Sequence, residues 1–267
     1  MPYEQKISRQ KPGLIGAVLD DSGSMEDPLQ GTSDPKFQWV ERLDGIVMKE
    51  LLARCTEVRG EGVVVKPRYY RYLIEYGTSP EVWGDGEMDI EAAVERYTKA
   101  GNSLGLGGRR GGTDAEAAMR VMHDYLATAV TSERFRDSFP PMVFHLTDGM
   151  SQTDAQPIVE QIKKLQTADG NVLMVNAFIG TQTSLAYTGP EDFPGYVDAA
   201  EAGPSPDNIR LFNMSSRAPE CIRQNLIDDG IFPNLRAESR LFFDVRTREM
   251  LKHVIQVVGS IGSRADR

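Results

Sequence analysis

The sequence predicts a doubly wound α/β domain, a mostly parallel central sheet with one antiparallel edge strand and helices on both faces. Two observations predict it. Short continuous apolar runs, such as LIGAVL at 14–19, MVFHL at 142–146 and VLMVNAFI at 172–179, read as strands buried on both faces. Stretches with apolar residues at helical spacing lie between them, and that alternation implies βαβ units on a parallel sheet. The 267 residues suit one large domain or two small ones. No linker, internal repeat or low-complexity tract divides them. The expected organisation is an extension at 1–13, one domain at 14–262 and a tail at 263–267.

In chain order, Leu14–Leu19 is the first strand, followed by the turn-rich DDSGSMEDPLQGTSDP. Lys36–Arg54 reads as a helix, with Val40, Leu43, Val47 and Leu51 on one face. Tyr69–Tyr76 reads as a strand, and Val82 and Trp83 are its expected hairpin partner after GTSP. Asp89–Lys99 is a short helix, and the glycine-rich GNSLGLGGRRGGT follows. Ala115, Met119, Met122, Leu126 and Val130 mark one helix face. After the strand at Met142–Leu146, Thr153 and Gln156 fit a capping box, with Thr153 as N-cap of a helix carrying Ile158, Ile162 and Leu165 inward. Val172–Ile179 is the next strand.

The stretch Ser184–Asn208 breaks the rhythm, with four prolines, five acidic residues and no Lys or Arg. It is expected to be an irregular insert, since connections in compact domains are usually far shorter. Its aromatics Tyr187, Phe193 and Tyr196 have two readings: anchors for a partner, or a loop folded over its own apolar surface. Ile209–Met214 reads as a strand, Pro219–Asp228 as a helix and Leu241–Val245 as a strand. Thr247–Ile261 closes the chain as a helix with Met250, Val254, Val257 and Ile261 inward.

Composition narrows the function. Hydrophobic residues make up 40% and charged residues 26%, ordinary for a globular chain. The net charge of −9 argues against a broad nucleic-acid surface, which needs clustered Lys and Arg. From Arg217 onward nine Lys/Arg face seven Asp/Glu, but no nucleic-acid motif accompanies them. Cys55 and Cys221 make no disulfide framework and read as small buried groups. No run of about 18 apolar residues and no leader-like N-terminus occurs. The expectation is a cytoplasmic protein that contacts no membrane.

In doubly wound sheets ligands bind outside the carboxyl ends of the strands. The residues there are Asp20-Asp21-Ser22-Gly23-Ser24 after the first strand, Thr113 after the glycine-rich loop, and Asp148-Gly149 after MVFHLT. Asp20, Ser22 and Ser24 alternate along an extended loop and can point one way. Two carboxylates and three hydroxyls offer only oxygen, which suits a hard cation such as Mg²⁺ or Mn²⁺. Without the ion, Asp20 and Asp148 are expected to repel each other.

LDDSGSM, GGTD and HLTDG, in this order, resemble the metal-ion-dependent adhesion site of the von Willebrand factor type A domain. That motif is Asp-x-Ser-x-Ser, a distant Thr, and a distant Asp after a strand, met here by Asp20, Ser22, Ser24, Thr113 and Asp148. The resemblance covers about Leu14 to Ile261 and is weakest from Ser184 to Asn208. It implies the Rossmann-like fold of that family. It also implies a binding module, not an enzyme, in which a metal (Mg²⁺ or Mn²⁺ ahead of Ca²⁺) is completed by a Glu or Asp of a partner protein. Among the family's branches, the chain is similar to intracellular bacterial members of tellurium-resistance type, and to those working beside AAA+ ATPases or kinase–phosphatase pairs.

Rival readings use the same residues. LDDSGS is similar to the Asp-x-Asp start of haloacid-dehalogenase-type phosphohydrolases, but the second Asp would fall at Ser22, so the general acid is missing. Gly107 to Gly112 followed by Thr113 has the spacing of a phosphate-binding loop, but it lacks the lysine and follows no buried strand. Arg109 and Arg110 are read as solvated loop charges, with an anionic partner as the alternative. His145 reads as a core residue, and His123 and His253 sit in helical patterns with no zinc-ligand spacing. Met119, Met122 and Met250 read as core.

Overall fold

The computed structural model describes residues 2–59, 62–107, 111–149, 151–180 and 183–260. Its centre is a seven-stranded sheet. The strands are β1 (Gly13–Asp20), β4 (Tyr69–Tyr76), β5 (Pro80–Val82), β6 (Met88–Asp89), β7 (Met142–Thr147), β10 (Leu173–Phe178) and β11 (Phe242–Asp244). Two small hairpins stand apart from it, β2 (Thr56–Arg59) with β3 (Gly62–Val65) and β8 (Gln166–Thr167) with β9 (Gly170–Asn171). The sheet order is β11-β10-β7-β1-β4-β5, and β6 also pairs with β4. Pairings among β11, β10, β7, β1 and β4 are parallel, and the antiparallel edge consists of two short pieces, β5 and β6. All eight residues of β1 and all six of β7 and β10 are buried, which is why they read as continuous apolar runs.

Seven α-helices lie among the described residues, α1 (Lys36–Arg54), α2 (Ile90–Lys99), α3 (Ala115–Ala129), α4 (Gln156–Ile162), α5 (Pro206–Met214), α6 (Glu220–Asp228) and α7 (Arg248–Ser260), with one 3₁₀ turn at Gly23–Glu26. α1 packs against α2 and α7, and α7 against α6. α3 packs against α4, and α4 against α5. The sheet therefore lies between two helical layers. Gly45 lets α1 approach α2 closely, since a Cβ there would run into the Tyr97 ring. The helical face drawn from Ala115, Met119, Met122, Leu126 and Val130 is buried throughout.

Three expectations change. Ile209–Met214 belongs to a helix, α5, begun by Pro206 at its first turn; Leu211, Phe212 and Met214 face inward. Six residues rich in apolar side chains fit either period, and the proline upstream is what decides. Thr153 does not cap α4, which starts at Gln156 after Ala155 with no side-chain cap. Its hydroxyl instead donates to Asp114 Oδ1 at 2.9 Å and accepts the Glu116 N–H at 3.2 Å, tying that loop to the start of α3. The insert is also less irregular than expected, because its last residues enter α5. Ile261, assigned to the inner face of the last helix, lies outside the described residues, as do Arg109 and Arg110.

The insert folds onto the protein's own core. Phe193 and Tyr196 are fully buried, and the Phe193 ring packs with Tyr187, Tyr196, Phe232 and Phe243. Asp244, buried at the end of β11, is the polar anchor. Its Oδ1 accepts the hydroxyls of Tyr187 at 2.7 Å and Tyr196 at 2.6 Å, and its Oδ2 accepts Thr183 Oγ1 and Arg246 Nε, each at 2.6 Å. Burial and the Asp244 charge push both tyrosine hydroxyls well above their ordinary range. The aromatics of the insert are therefore structural.

Candidate metal centre

Chain direction across the sheet reverses between β1 and β7. From β1 the chain crosses to β4 on one side, then returns past β1 to β7 on the other. The crevice at the carboxyl ends of β1 and β7 is thus the expected binding place. Asp20 ends β1, and Asp148 follows Thr147, the last residue of β7. Gly149 adopts φ +102°, which turns the chain directly after Asp148, and its N–H donates to Thr147 Oγ1 at 3.0 Å.

Four of the five residues singled out in sequence, Asp20, Ser22, Ser24 and Asp148, gather here, and the fifth, Thr113, is joined through its carbonyl to the segment after Asp148. Asp20 is fully buried; Oδ1 accepts the Ser22 N–H at 2.9 Å and Oδ2 accepts the Thr147 hydroxyl at 2.6 Å. These bonds hold the carboxylate, and the hydroxyl oxygens of buried Ser22 and half-buried Ser24 lie 3.3 Å apart beside it. Lys36, the first residue of α1, bridges from the Ser24 carbonyl at 3.2 Å to Asp148 Oδ2 at 3.1 Å. Thr113 is buried, and its carbonyl accepts the Gln152 N–H at 3.0 Å and the Ser151 hydroxyl at 3.2 Å. Those bonds lay the Thr113 loop along the segment that follows Asp148.

Burial and charge set the electrostatics of the site. Burial pushes the Asp20 carboxyl up to about 6, opposed by its bonds from Ser22 and Thr147, with the Asp148 charge adding to the rise. Asp148 Oδ1 is buried with no hydrogen-bond partner. Orphaned buried oxygens are rare because they forfeit hydration for nothing, and a hard cation is the natural complement. The donor set of carboxylate and hydroxyl oxygens fits Mg²⁺ or Mn²⁺. Among the described residues no cluster of three His, Cys, Asp or Glu is placed to hold a metal. His123 lies beside Asp124 on α3 and His253 beside the Glu249 carbonyl on α7.

Three contributors carry no local sequence signal. Lys36 is one. Thr147, which orients Asp20, falls just past the strand read at Met142–Leu146 and closes β7 in the structure. Asp21 is buried, and its Oδ1 accepts the Gly107 N–H at 2.9 Å, tethering the glycine-rich loop to the site. A cavity of about 320 Å³ opens beside Asp148, walled by Leu29, Phe178, Val245, Lys36 and Arg246. It has an apolar floor and two cationic side chains. A larger cavity of about 750 Å³ lies at the sheet edge between Trp83 and α2, away from these groups.

A buried polar row runs from this site across one face of the sheet. Tyr76 on β4, His145 on β7 and Asn176 on β10 share that face, with Tyr76 Oη 2.7 Å from His145 Nε2 and His145 Nδ1 2.9 Å from Asn176 Oδ1. Asn176 Nδ2 donates to Ser215 Oγ at 2.9 Å, and that hydroxyl donates to the Leu211 carbonyl at 2.8 Å. This direction makes Asn176 Oδ1 the acceptor of His145 Nδ1–H, and leaves Nε2 to accept from Tyr76. Burial holds the His145 imidazole down to about 4. The folded protein then binds fewer protons than the unfolded chain between about pH 4 and 6.5. This contribution to stability is complete above about pH 6.5 and is lost as pH falls toward 4. It amounts to about 3 kcal/mol. The His145→Gln variant should lose that share of the acid sensitivity in urea melts at pH 7 and 4.5. An unchanged pH slope would count against it.

No family profile and no curated protein matches the chain. Solved structures similar to it include a variant of the PilB minor pilin from Streptococcus sanguinis, with 12% identity and a TM-score of 0.51 over 93% of this chain and 61% of that one. Manganese-loaded TRAP from Plasmodium vivax is 14% identical, with a TM-score of 0.49 over 94% of this chain and 74% of that one. A von Willebrand factor type A structure from Catenulispora acidiphila is 15% identical, with a TM-score of 0.42 over 64% and 34%. The chain shares the fold of the pilin protein. The likeness reaches no further than fold at such identities, and this chain spans less than two thirds of both the pilin and the Catenulispora structure. The α/β class expected from sequence, a mostly parallel sheet between helical layers, is the fold observed. Among the described residues no helix is long and apolar enough to cross a membrane.

Proposed function

We propose that this chain is a von Willebrand factor type A-like binding module that uses a divalent cation to capture an acidic side chain of a partner protein. The observation that carries this reading is the buried, unpartnered Asp148 Oδ1 at the sheet's switch point, beside the paired hydroxyls of Ser22 and Ser24. Asp20, Ser22, Ser24, Thr113 and Asp148 would hold Mg²⁺ or Mn²⁺. The bound ion would supply positive charge and a position for an outside carboxylate. The residues of the chain do the rest. Thr147 and the Ser22 N–H hold Asp20 in place, Asp21 ties Gly107 to the site, and the 320 Å³ cavity gives an acidic side chain a way in.

The phosphohydrolase reading gains no support from the geometry. Ser22 stands where the general acid is needed, and both Asp20 oxygens accept hydrogen bonds within the protein. Titration with Mn²⁺ alone, followed by calorimetry, tests the proposal: wild type should bind about one ion, and the Asp148→Asn and Thr113→Ala variants should bind at least about tenfold more weakly. Equal affinities in all three would overturn the assignment. Mg²⁺-dependent turnover of a generic phosphate ester, lost in Asp20→Asn, would restore the enzymatic reading.

A further inference from the structure

Lys36 is the wrong residue for its helix and the right one for the site. It opens α1, where unpaired N–H groups make the field positive and an acidic side chain is favoured. No side chain caps α1, and its first turn contains no acidic residue. A lysine at such a position gains most by pointing into water. This one turns inward instead: its side chain is 17% exposed, and it joins the Ser24 carbonyl, in the loop after β1, to Asp148, in the loop after β7. The Asp148 side chain is 5% exposed, so the ion pair is largely shielded from solvent and from salt.

We propose that Lys36 is a resident counter-cation of the metal centre, which competes with the divalent ion for Asp148 and sets how tightly the ion is held. This rests on the metal-binding reading of the site. Asp148 Oδ2 accepts the ammonium while Oδ1 has no partner. A divalent ion on the same carboxylate would lie within a few ångströms of a like charge, in a region where burial weakens solvent screening. Lys36 must then give up Asp148. Its chain is long and flexible, and it already lines the 320 Å³ cavity, so the ammonium has somewhere to go. Two consequences follow. The mutual repulsion expected of Asp20 and Asp148 in the metal-free protein is offset by an internal cation. Metal affinity is lower than the same oxygen set would give without the lysine.

The test uses the full chain and Mn²⁺ as the only probe, read by electron paramagnetic resonance or calorimetry, with melting curves in EDTA. Lys36→Met should bind Mn²⁺ about tenfold or more tightly than wild type, and Lys36→Arg should stay near wild type. In EDTA Lys36→Met should melt below wild type, because Asp148 is left buried without its cation, and Mn²⁺ should raise its Tm by more than it raises that of wild type. Lys36→Gln, which keeps a hydrogen-bond donor without the charge, repeats the comparison should the Met variant fold poorly. Equal or weaker Mn²⁺ affinity in the charge-free variants overturns the role of Lys36 and leaves the metal centre standing. Absence of Mn²⁺ binding in wild type and both charge-free variants overturns the metal reading itself, and the proposal falls with it.

Discussion

Partner binding should collapse in EDTA, return with Mg²⁺ or Mn²⁺, and be lost alike in the Ser22→Ala, Thr113→Ala and Asp148→Ala variants. The site has two carboxylates, and one of them, Asp20, already accepts hydrogen bonds at both oxygens. An ion in direct contact with only the Asp148 carboxylate, and otherwise with neutral hydroxyls, keeps positive charge at its open position. A partner Glu or Asp entering beside it makes a charge-assisted contact in the cleft lined by Leu29, Phe178 and Val245. Losing a contact of that kind costs about 2–5 kcal/mol, or roughly 30- to 5,000-fold in affinity. One acidic residue of the partner should be equally indispensable, and its replacement by Gln or Asn should mimic EDTA. A pull-down from the native host, run with and without EDTA, makes the comparison. The same partner recovered at equal yield in both would show that the metal face is not the recognition surface.

How much of this was legible in sequence depends on whether the cause is local. α1 begins and ends at the expected residues, Lys36 and Arg54, because its apolar face repeats at helical spacing over five turns. β4 matches Tyr69–Tyr76 to the residue, since few other segments are so rich in β-formers. The residues proposed as donors could be picked out because each follows an apolar strand or a glycine-rich loop, and parallel topology brings strand ends of that kind to one edge. The Lys36 contact with Asp148 joins residues 112 apart, and no local pattern marks it. Thr153 shows the opposite error: the capping signature is present, but Asp114 competes for the hydroxyl and wins. Asp244 looked like one acid in a strand end, and its four donors arrive from segments that have no regular structure to predict.

Replacing Asp244 should release the insert. Its carboxylate is fully buried and is met by two tyrosine hydroxyls, one threonine hydroxyl and the Arg246 guanidinium, which also stacks on Tyr187 at 4.3 Å. In Asp244→Ala the Tyr196 and Thr183 hydroxyls and Arg246 Nε lose this acceptor at once, Tyr187 keeps only the backbone carbonyl of residue 244, and the Arg246 charge is left half-buried without its partner. Removing one member of such a buried charged cluster costs about 3–5 kcal/mol, a large part of the stability of a single domain. Asp244→Asn keeps one oxygen but turns a donating amide toward groups that also donate, so it should lose somewhat less. The loss should be local before it is global. The insert is fastened at Tyr187 and Tyr196, and it has no Lys or Arg between Ser184 and Asn208. Chymotrypsin, which cuts after exposed aromatics, should therefore cleave the variant at Tyr187 and Tyr196 while wild type resists, and trypsin should not distinguish the two within the insert. Mn²⁺ affinity should change little, since none of the five metal-site residues belongs to this cluster. Resistance of Asp244→Ala to chymotrypsin, together with an unchanged melting temperature, would show that the aromatic packing alone holds the insert and that the carboxylate clasp is dispensable.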